Sequence, residues 1–176
     1  MKAAMNITAV LFLALLVTSC NQKPQESTDS NSDMMETKMR ESSKNRFKAW
    51  NTGDTDLMLS TLSDDFKRYS NGQLQFEGKD GYVALIEQYR TAFADINFAY
   101  EMVAISGNKT FTKWTASGTN TGIFKGQEAT NNMTSSDGFT ITTYNDEGLA
   151  IMEEAYLDEL LILSNLGYNI KPPSAD

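Results

Sequence analysis

The apolar residues of this chain change their spacing once, close to Asp95. Before that residue they recur every three or four positions, which predicts a helix beginning at Asp80 with the apolar face Tyr82, Leu85, Ile86, Tyr89 and Phe93. After it they alternate with polar residues, which predicts a strand whose apolar face holds Ile96, Phe98, Tyr100 and Met102. The chain therefore divides into a mainly helical first part and a β-rich second part.

Shorter sequence patterns predict further helices and strands in both parts of the chain. Residues 34–50 have the pattern of an amphipathic helix, and Asp54 suits the N-cap of a second helix that runs to Leu62. A short strand is predicted over residues 66–69, followed by an Asn71-Gly72 turn. Further strands are predicted at residues 110–118, 136–144 and 149–157, before a last short helix. The order predicts an α+β domain with one layer of antiparallel sheet and one layer of helices.

The first 20 residues resemble the signal peptide of a bacterial lipoprotein. Lys2 precedes an apolar segment, residues 7–17, that is shorter than the roughly 20 residues a membrane-spanning helix needs. The run from Leu16 to Cys20, LVTSC, is similar to a lipobox, which implies removal of residues 1–19 and acylation of Cys20, including palmitate. The alternative is an ordinary secretory signal with a stray cysteine. Asn21 gives no inner-membrane retention signal, so we expect a lipid-anchored protein of the cell envelope, in the outer rather than the inner membrane.

Polar residues fill the next segment. Residues 20–33 combine the cysteine with a stretch rich in Gln, Ser, Asn and Asp, and this composition predicts a flexible tether. The folded domain is expected to span residues 34–170, with a short tail at 171–176.

Composition excludes several kinds of site. The chain has no histidine and one cysteine, so Ser-His-Asp hydrolysis, Cys-His nucleophiles and the common zinc sites are excluded. Acid and base chemistry must therefore use Asp, Glu, Lys or Tyr with a shifted pKa. The formal charge of −8, with no basic cluster, disfavours nucleic acid. We expect no metal and no cofactor.

Two regions of the second half carry a family resemblance. The run from Gly118 to Gly126, GTNTGIFKG, followed by Ala129-Thr130, resembles signatures of the SnoaL-like polyketide cyclases. The ending from Asp146 to Gly167 is similar to that family's last turn, last strand and terminus. The opening, around residues 50–66, resembles the wider NTF2-like superfamily. The resemblance covers residues 34–168.

The resemblance implies an NTF2-like cone, in which a curved antiparallel sheet wraps a pocket that helices close. It also implies that Asp158 stands where the family has a catalytic carboxylate, whose pKa a dry pocket would raise. The alternative, which the residues favour, is that Asp158 is the N-cap of the last helix, because it directly precedes Glu159-Leu160-Leu161. Asn120 replaces a family histidine, and asparagine cannot transfer a proton.

Other residues are candidates for contact with a ligand. Aromatic side chains on alternating positions either line a cavity or form an ordinary core. Glu154 shares strand parity with Tyr156 and Asp158. The candidate ligand-binding residues are Trp114, Asn120, Phe124, Tyr156 and Glu154.

Three functions stay open on this reading. The first is an envelope lipoprotein whose domain binds a small, partly apolar molecule. The second is a cyclase or isomerase that acts on a carbonyl compound through Asp158. The third is a non-catalytic protein-assembly module, and a homodimer through the sheet is compatible with the resemblance.

Overall fold

The computed structural model describes residues 30–169 and Lys171. Four helices and six strands follow one another along the chain. In chain order they are α1 (Ser30–Thr52), α2 (Thr55–Leu59), β1 (Leu62–Ser70), β2 (Gln73–Glu77), α3 (Asp80–Ala92), β3 (Asn97–Ser106), β4 (Lys109–Thr119), β5 (Met133–Tyr144), β6 (Ala150–Leu157) and α4 (Glu159–Asn165).

The six strands form one curved sheet in the order β2-β1-β6-β5-β4-β3. Neighbouring strands are antiparallel except for β1 and β6, which are parallel. The predicted α+β class, with a curved sheet and helices, is confirmed. The parallel pair differs from the predicted antiparallel sheet, and it brings Arg68 of β1 into register with Glu153 of β6.

Local sequence signals account for most element boundaries. The Asp54 carboxylate accepts a hydrogen bond from the backbone N–H of Leu57 at 2.9 Å and so caps α2. Asn71 and Gly72 both have positive φ, 49° and 79°, as a two-residue hairpin turn requires. Helix α1 begins at Ser30, earlier than the expected tether boundary at residue 33, because Asp33 in its first turn favours the helix N-terminus.

Apolar side chains of the helices pack against the sheet in two groups. The larger group joins α1, α2 and α3 to the first and last strands, and its members include Met39, Trp50, Met58, Phe66, Tyr82 and Ile86. The smaller group joins the end of α3 to the loop after β4 and to the C-terminal segment, through Phe93, Ile96, Phe124 and Leu166. The helices thus cover one face of the sheet.

The expected signal peptide, Cys20, the tether up to residue 29 and most of the tail at 171–176 lie outside the described residues. None of the helices in the described part of the chain is long and apolar enough to cross a membrane.

A tight contact between two strands positions one aromatic ring. Gly138 of β5 pairs with Trp114 of β4, and a Cβ atom on Gly138 would lie 2.1 Å from the indole Cζ2. Glycine is therefore required for the indole to lie flat on β5.

We expect Gly138→Ala to lower the free energy of unfolding by about 1–3 kcal/mol, because the ring must move away from the new methyl group. Urea denaturation measures this loss. Ser135→Ala, at an exposed position of the same strand, is the control and should change stability by less than about 0.5 kcal/mol. Equal stability of the two variants would contradict the tight packing.

Candidate functional site

A cavity lies between the concave face of the sheet and helices α1 and α3. Its empty volume is about 830 Å³, including open solvent at the mouth. Aromatic side chains form one part of its wall, and they include Phe47, Trp50, Tyr89, Phe98 and Trp114. Such a wall favours an apolar or aromatic ligand.

A buried carboxylate lies at the polar end of this cavity. Glu153 of β6 is 5% exposed. Its Oε2 accepts a hydrogen bond from Arg46 Nη1 at 2.8 Å, and its Oε1 accepts one from Arg68 Nε at 2.9 Å. The Tyr82 hydroxyl donates to the same carboxylate, 2.9 Å from Oε1. We call Arg46, Arg68, Tyr82 and Glu153 the Glu153 cluster.

The cluster is continued by further polar side chains. Arg46 Nη2 donates to Thr142 Oγ1 at 2.8 Å and to the Tyr144 hydroxyl at 3.0 Å. Trp50 Nε1 donates to the Tyr82 hydroxyl at 3.2 Å, and Arg68 Nη1 donates to Gln75 Oε1. Helices α1 and α3 and strands β1, β5 and β6 are thereby held to one buried network.

Burial and neighbouring charges have opposite effects on the pKa of the two arginines in the cluster. Burial lowers the pKa of Arg46, but the oxygens of Tyr144, Glu153 and Tyr82 outweigh it, so that pKa is raised above its usual value. The pKa of Arg68 is raised in the same way by Glu153 and Tyr82. Both guanidinium groups are therefore charged.

Burial and the Glu153 charge also raise the pKa of Tyr82. Burial raises the pKa of Tyr89 in the cavity wall. Both phenols are therefore neutral hydroxyl groups at pH 7, and Tyr82 is a hydrogen-bond donor to the carboxylate.

Trp114 is the one predicted site residue that lines the cavity. Its indole is 7% exposed, and its Nε1 donates to Thr140 Oγ1 at 2.8 Å. The hydrogen bond fixes the ring orientation, so the flat face of the indole forms part of the wall.

The other predicted residues of the last strand lie elsewhere. Asp158 is exposed, and its Oδ1 accepts a hydrogen bond from Leu161 N at 2.9 Å, so the side chain is the N-cap of α4. Tyr156 is 40% exposed, and Glu154 shares its parity. Because side chains alternate along a strand, both point away from the face that carries Glu153. None of these three residues lines the cavity.

Asn120 and Phe124 hold the loop that follows β4. The buried Asn120 amide donates to the carbonyls of Ala92 and Gly122 at 3.2 and 2.8 Å, and its Oδ1 accepts from Thr130 N at 2.9 Å. Phe124 belongs to the smaller apolar group. The structure places both outside the cavity lining, in positions where they pack the loop against the end of α3.

Sequence reasoning missed Arg46, Arg68 and Glu153. Adjacent carboxylates such as Glu153 and Glu154 are typical of a solvated acidic surface, but Glu153 is buried. A signal for Arg46 was present, because it lies seven residues after Met39 and four before Trp50, on the apolar stripe of α1. Across the described residues, no group of three or more acidic, histidine or cysteine side chains is placed to hold a metal ion.

Comparisons with known proteins agree with this architecture. The family model described as SnoaL-like polyketide cyclase matches residues 44–165. No curated protein sequence matches the chain.

Solved structures share the fold at low sequence identity. A protein from Jannaschia sp. CCS1 designated a SnoaL-like polyketide cyclase is 20% identical with a TM-score of 0.67, covering 78% of this chain and 94% of that one. AclR from Streptomyces galilaeus, designated a hydroxylase, is 20% identical with a TM-score of 0.66, covering 74% and 96%. An NTF2-like protein of unknown function from Exiguobacterium sp. 255-15 is 22% identical with a TM-score of 0.55, covering 67% and 98%. These likenesses show the fold alone.

Neighbouring glutamates of β6 provide a test of the cluster. Glu153→Gln leaves two buried guanidinium groups without their carboxylate, and we expect the free energy of unfolding to fall by about 3–5 kcal/mol. Glu154→Gln makes the same chemical change on the other face of the strand, where the side chain is partly exposed, and should cost less than about 1 kcal/mol. Urea denaturation of both variants measures the difference. A similar loss in both would show that the carboxylate of Glu153 does not hold the network together.

Proposed function

This chain belongs to the SnoaL-like polyketide cyclase family, and from that premise we propose that its cavity binds a small, partly apolar molecule. The observation that supports this is the composition of the cavity: an aromatic wall faces a buried polar cluster. Sites of this kind bury the apolar body of a ligand and orient it through a few polar groups.

Binding is favoured over catalysis by the state of the carboxylates. Asp158, which the resemblance assigns to acid and base chemistry, accepts a hydrogen bond from the Leu161 N–H at the start of α4. Glu153 does face the cavity, but it accepts hydrogen bonds from two arginines and one tyrosine. A proton transfer through Glu153 would have to break these bonds. A cyclase or isomerase that acts on a carbonyl compound is the second candidate, because the family is named for cyclases.

Placement at a membrane is a second part of the proposal. The lipobox-like run LVTSC at residues 16–20 supports acylation of Cys20. Asn21 supports the outer membrane of the cell envelope. The polar residues after Cys20 would separate the domain from the lipid surface.

Ligand binding has a direct optical readout. The chain has two tryptophans, and both Trp50 and Trp114 line the cavity. We expect the neutral dye N-phenyl-1-naphthylamine to quench tryptophan emission saturably in the purified full chain. Trp114→Ala should weaken binding about three- to ten-fold, the magnitude of a lost aromatic contact.

Tyr156→Ala is the matched control, since it removes an aromatic ring from the opposite face of the sheet and should leave the dye affinity unchanged. Absence of saturable binding, or equal weakening by both variants, would refute binding in the cavity.

Acylation is tested by metabolic labelling with radioactive palmitate in a bacterial host. We expect the label on the wild-type chain and its complete loss in Cys20→Ser, with release of the protein from the membrane fraction, because serine lacks the thiol that takes the lipid. Ser19→Ala keeps a small residue before the cysteine and should retain the label. Labelling of Cys20→Ser at the wild-type level would exclude Cys20 as the lipid site.

A further inference from the structure

We infer that the cavity selects ligands that carry one carboxylate, placed at the end of the molecule that reaches Arg68 and Arg46. The inference rests on the proposed function, because it specifies the chemical class of ligand for the same cavity. It follows from a charge imbalance in the Glu153 cluster and from the hydrogen-bond donors that the cluster leaves unused.

The cluster carries one more positive than negative charge. Arg46 and Arg68 face the single carboxylate of Glu153, and their side chains are 5%, 11% and 6% exposed. Tyr82, which donates to the Glu153 carboxylate, is a neutral hydroxyl group and adds no charge. An uncompensated charge away from water is unfavourable, so an anion in the cavity would relieve the imbalance.

The remaining acidic residue in the cavity lining does not compensate this charge. Glu159 begins α4 and pairs with Lys125 at 3.3 Å, and both side chains are about two-fifths exposed. The charges of that pair cancel each other at the solvent side. The excess positive charge therefore belongs to the buried end of the cavity.

In the part of the chain that the structure describes, arginine N–H groups without a hydrogen-bond acceptor lie at the same buried end of the cavity. Each guanidinium has five N–H donors. Arg68 donates from Nε to Glu153 and from Nη1 to Gln75, and within residues 30–169 its Nη2 makes no hydrogen bond. Arg46 Nε is buried and finds no partner among the described residues. Arg68, which lines the cavity, is thus the contact for an acceptor, while Arg46 adds its charge.

A singly charged group fits better than a more highly charged one. One carboxylate would balance the excess of one positive charge, whereas a phosphate dianion would leave a net negative charge in a buried site. The chain as a whole carries a formal charge of −8, so long-range forces do not attract anions. Selection would occur inside the cavity, where charges interact at lower dielectric.

The aromatic wall defines the remainder of the ligand. Trp50, Phe98 and Trp114 line the same cavity as Arg68. A molecule with an aromatic or aliphatic body and one terminal carboxylate would meet both surfaces at once. An aryl-alkyl carboxylic acid is the simplest member of this class.

A charged and an uncharged version of the same molecule test the inference. We would titrate the purified full chain at pH 7 with 3-phenylpropanoate and with 3-phenylpropanamide, reading tryptophan emission and heat of binding. We expect the carboxylate to bind about ten-fold or more tightly than the amide, because a charge-assisted hydrogen bond is about twice as strong as a neutral one. Equal affinity of the two probes would overturn the inference.

Substitutions of neighbouring basic residues assign the effect to one side chain. Arg68→Gln should bring the ratio of the two affinities close to one, and Arg68→Lys should keep a preference for the carboxylate. Lys67→Gln removes the same charge from the exposed side of β1, where Lys67 pairs with Glu77, and should leave the ratio unchanged. A ratio that falls equally in Lys67→Gln and Arg68→Gln would overturn the assignment to Arg68.

The outcomes separate this inference from the proposed function. If N-phenyl-1-naphthylamine binds and the two phenyl compounds bind equally or not at all, the carboxylate preference fails and binding in the cavity stands. If none of the three compounds binds, the proposed function fails as well. The ratio of the affinities for the carboxylate and the amide in the wild-type chain tests the carboxylate preference even if Arg68→Gln does not fold.

Discussion

The pairing of Glu153 with Arg46 and Arg68 is the interaction on which the arrangement of this domain depends. It connects α1 to two strands that are adjacent in the sheet but about 85 residues apart in sequence. Tyr82 adds α3, and through Tyr82 the indole of Trp50 is oriented as well. The polar end of the cavity and the position of its aromatic wall therefore have a common origin.

Much of the fold could be predicted because its signals are local. The apolar spacing of α3, the cap at Asp54 and the Asn71-Gly72 turn each act within a few residues, and the structure has all three. The pairing of β1 with β6 is different, since it joins the two ends of the domain and is parallel. No local pattern specifies such a pair, and the register that places Arg68 opposite Glu153 depends on it.

The site was harder to predict because it depends on which face of β6 lies on the concave side of the sheet. Alternation alone assigns Glu153 and Glu154 to opposite faces, yet apolar residues occur on both, so the pattern does not say which face is buried. Aromatic residues on alternating strand positions were predicted to line a cavity or form a core, which holds for Trp114 but not for Tyr156, whose side chain is 40% exposed. Asp158 follows the strand, and the helix that begins after it engages its oxygen.

The composition of the cluster bears on its purpose. A buried ion pair contributes little net stability, since the cost of removing charges from water offsets their attraction, and apolar residues of similar size often do as well. An arrangement with two arginines and one carboxylate is less favourable still, because one charge has no partner. Packing of the aromatic and aliphatic core around Trp50 and Phe66 contributes the apolar burial that stabilises the helices on the sheet. The excess charge is therefore better explained by what enters the cavity than by the stability of the empty domain.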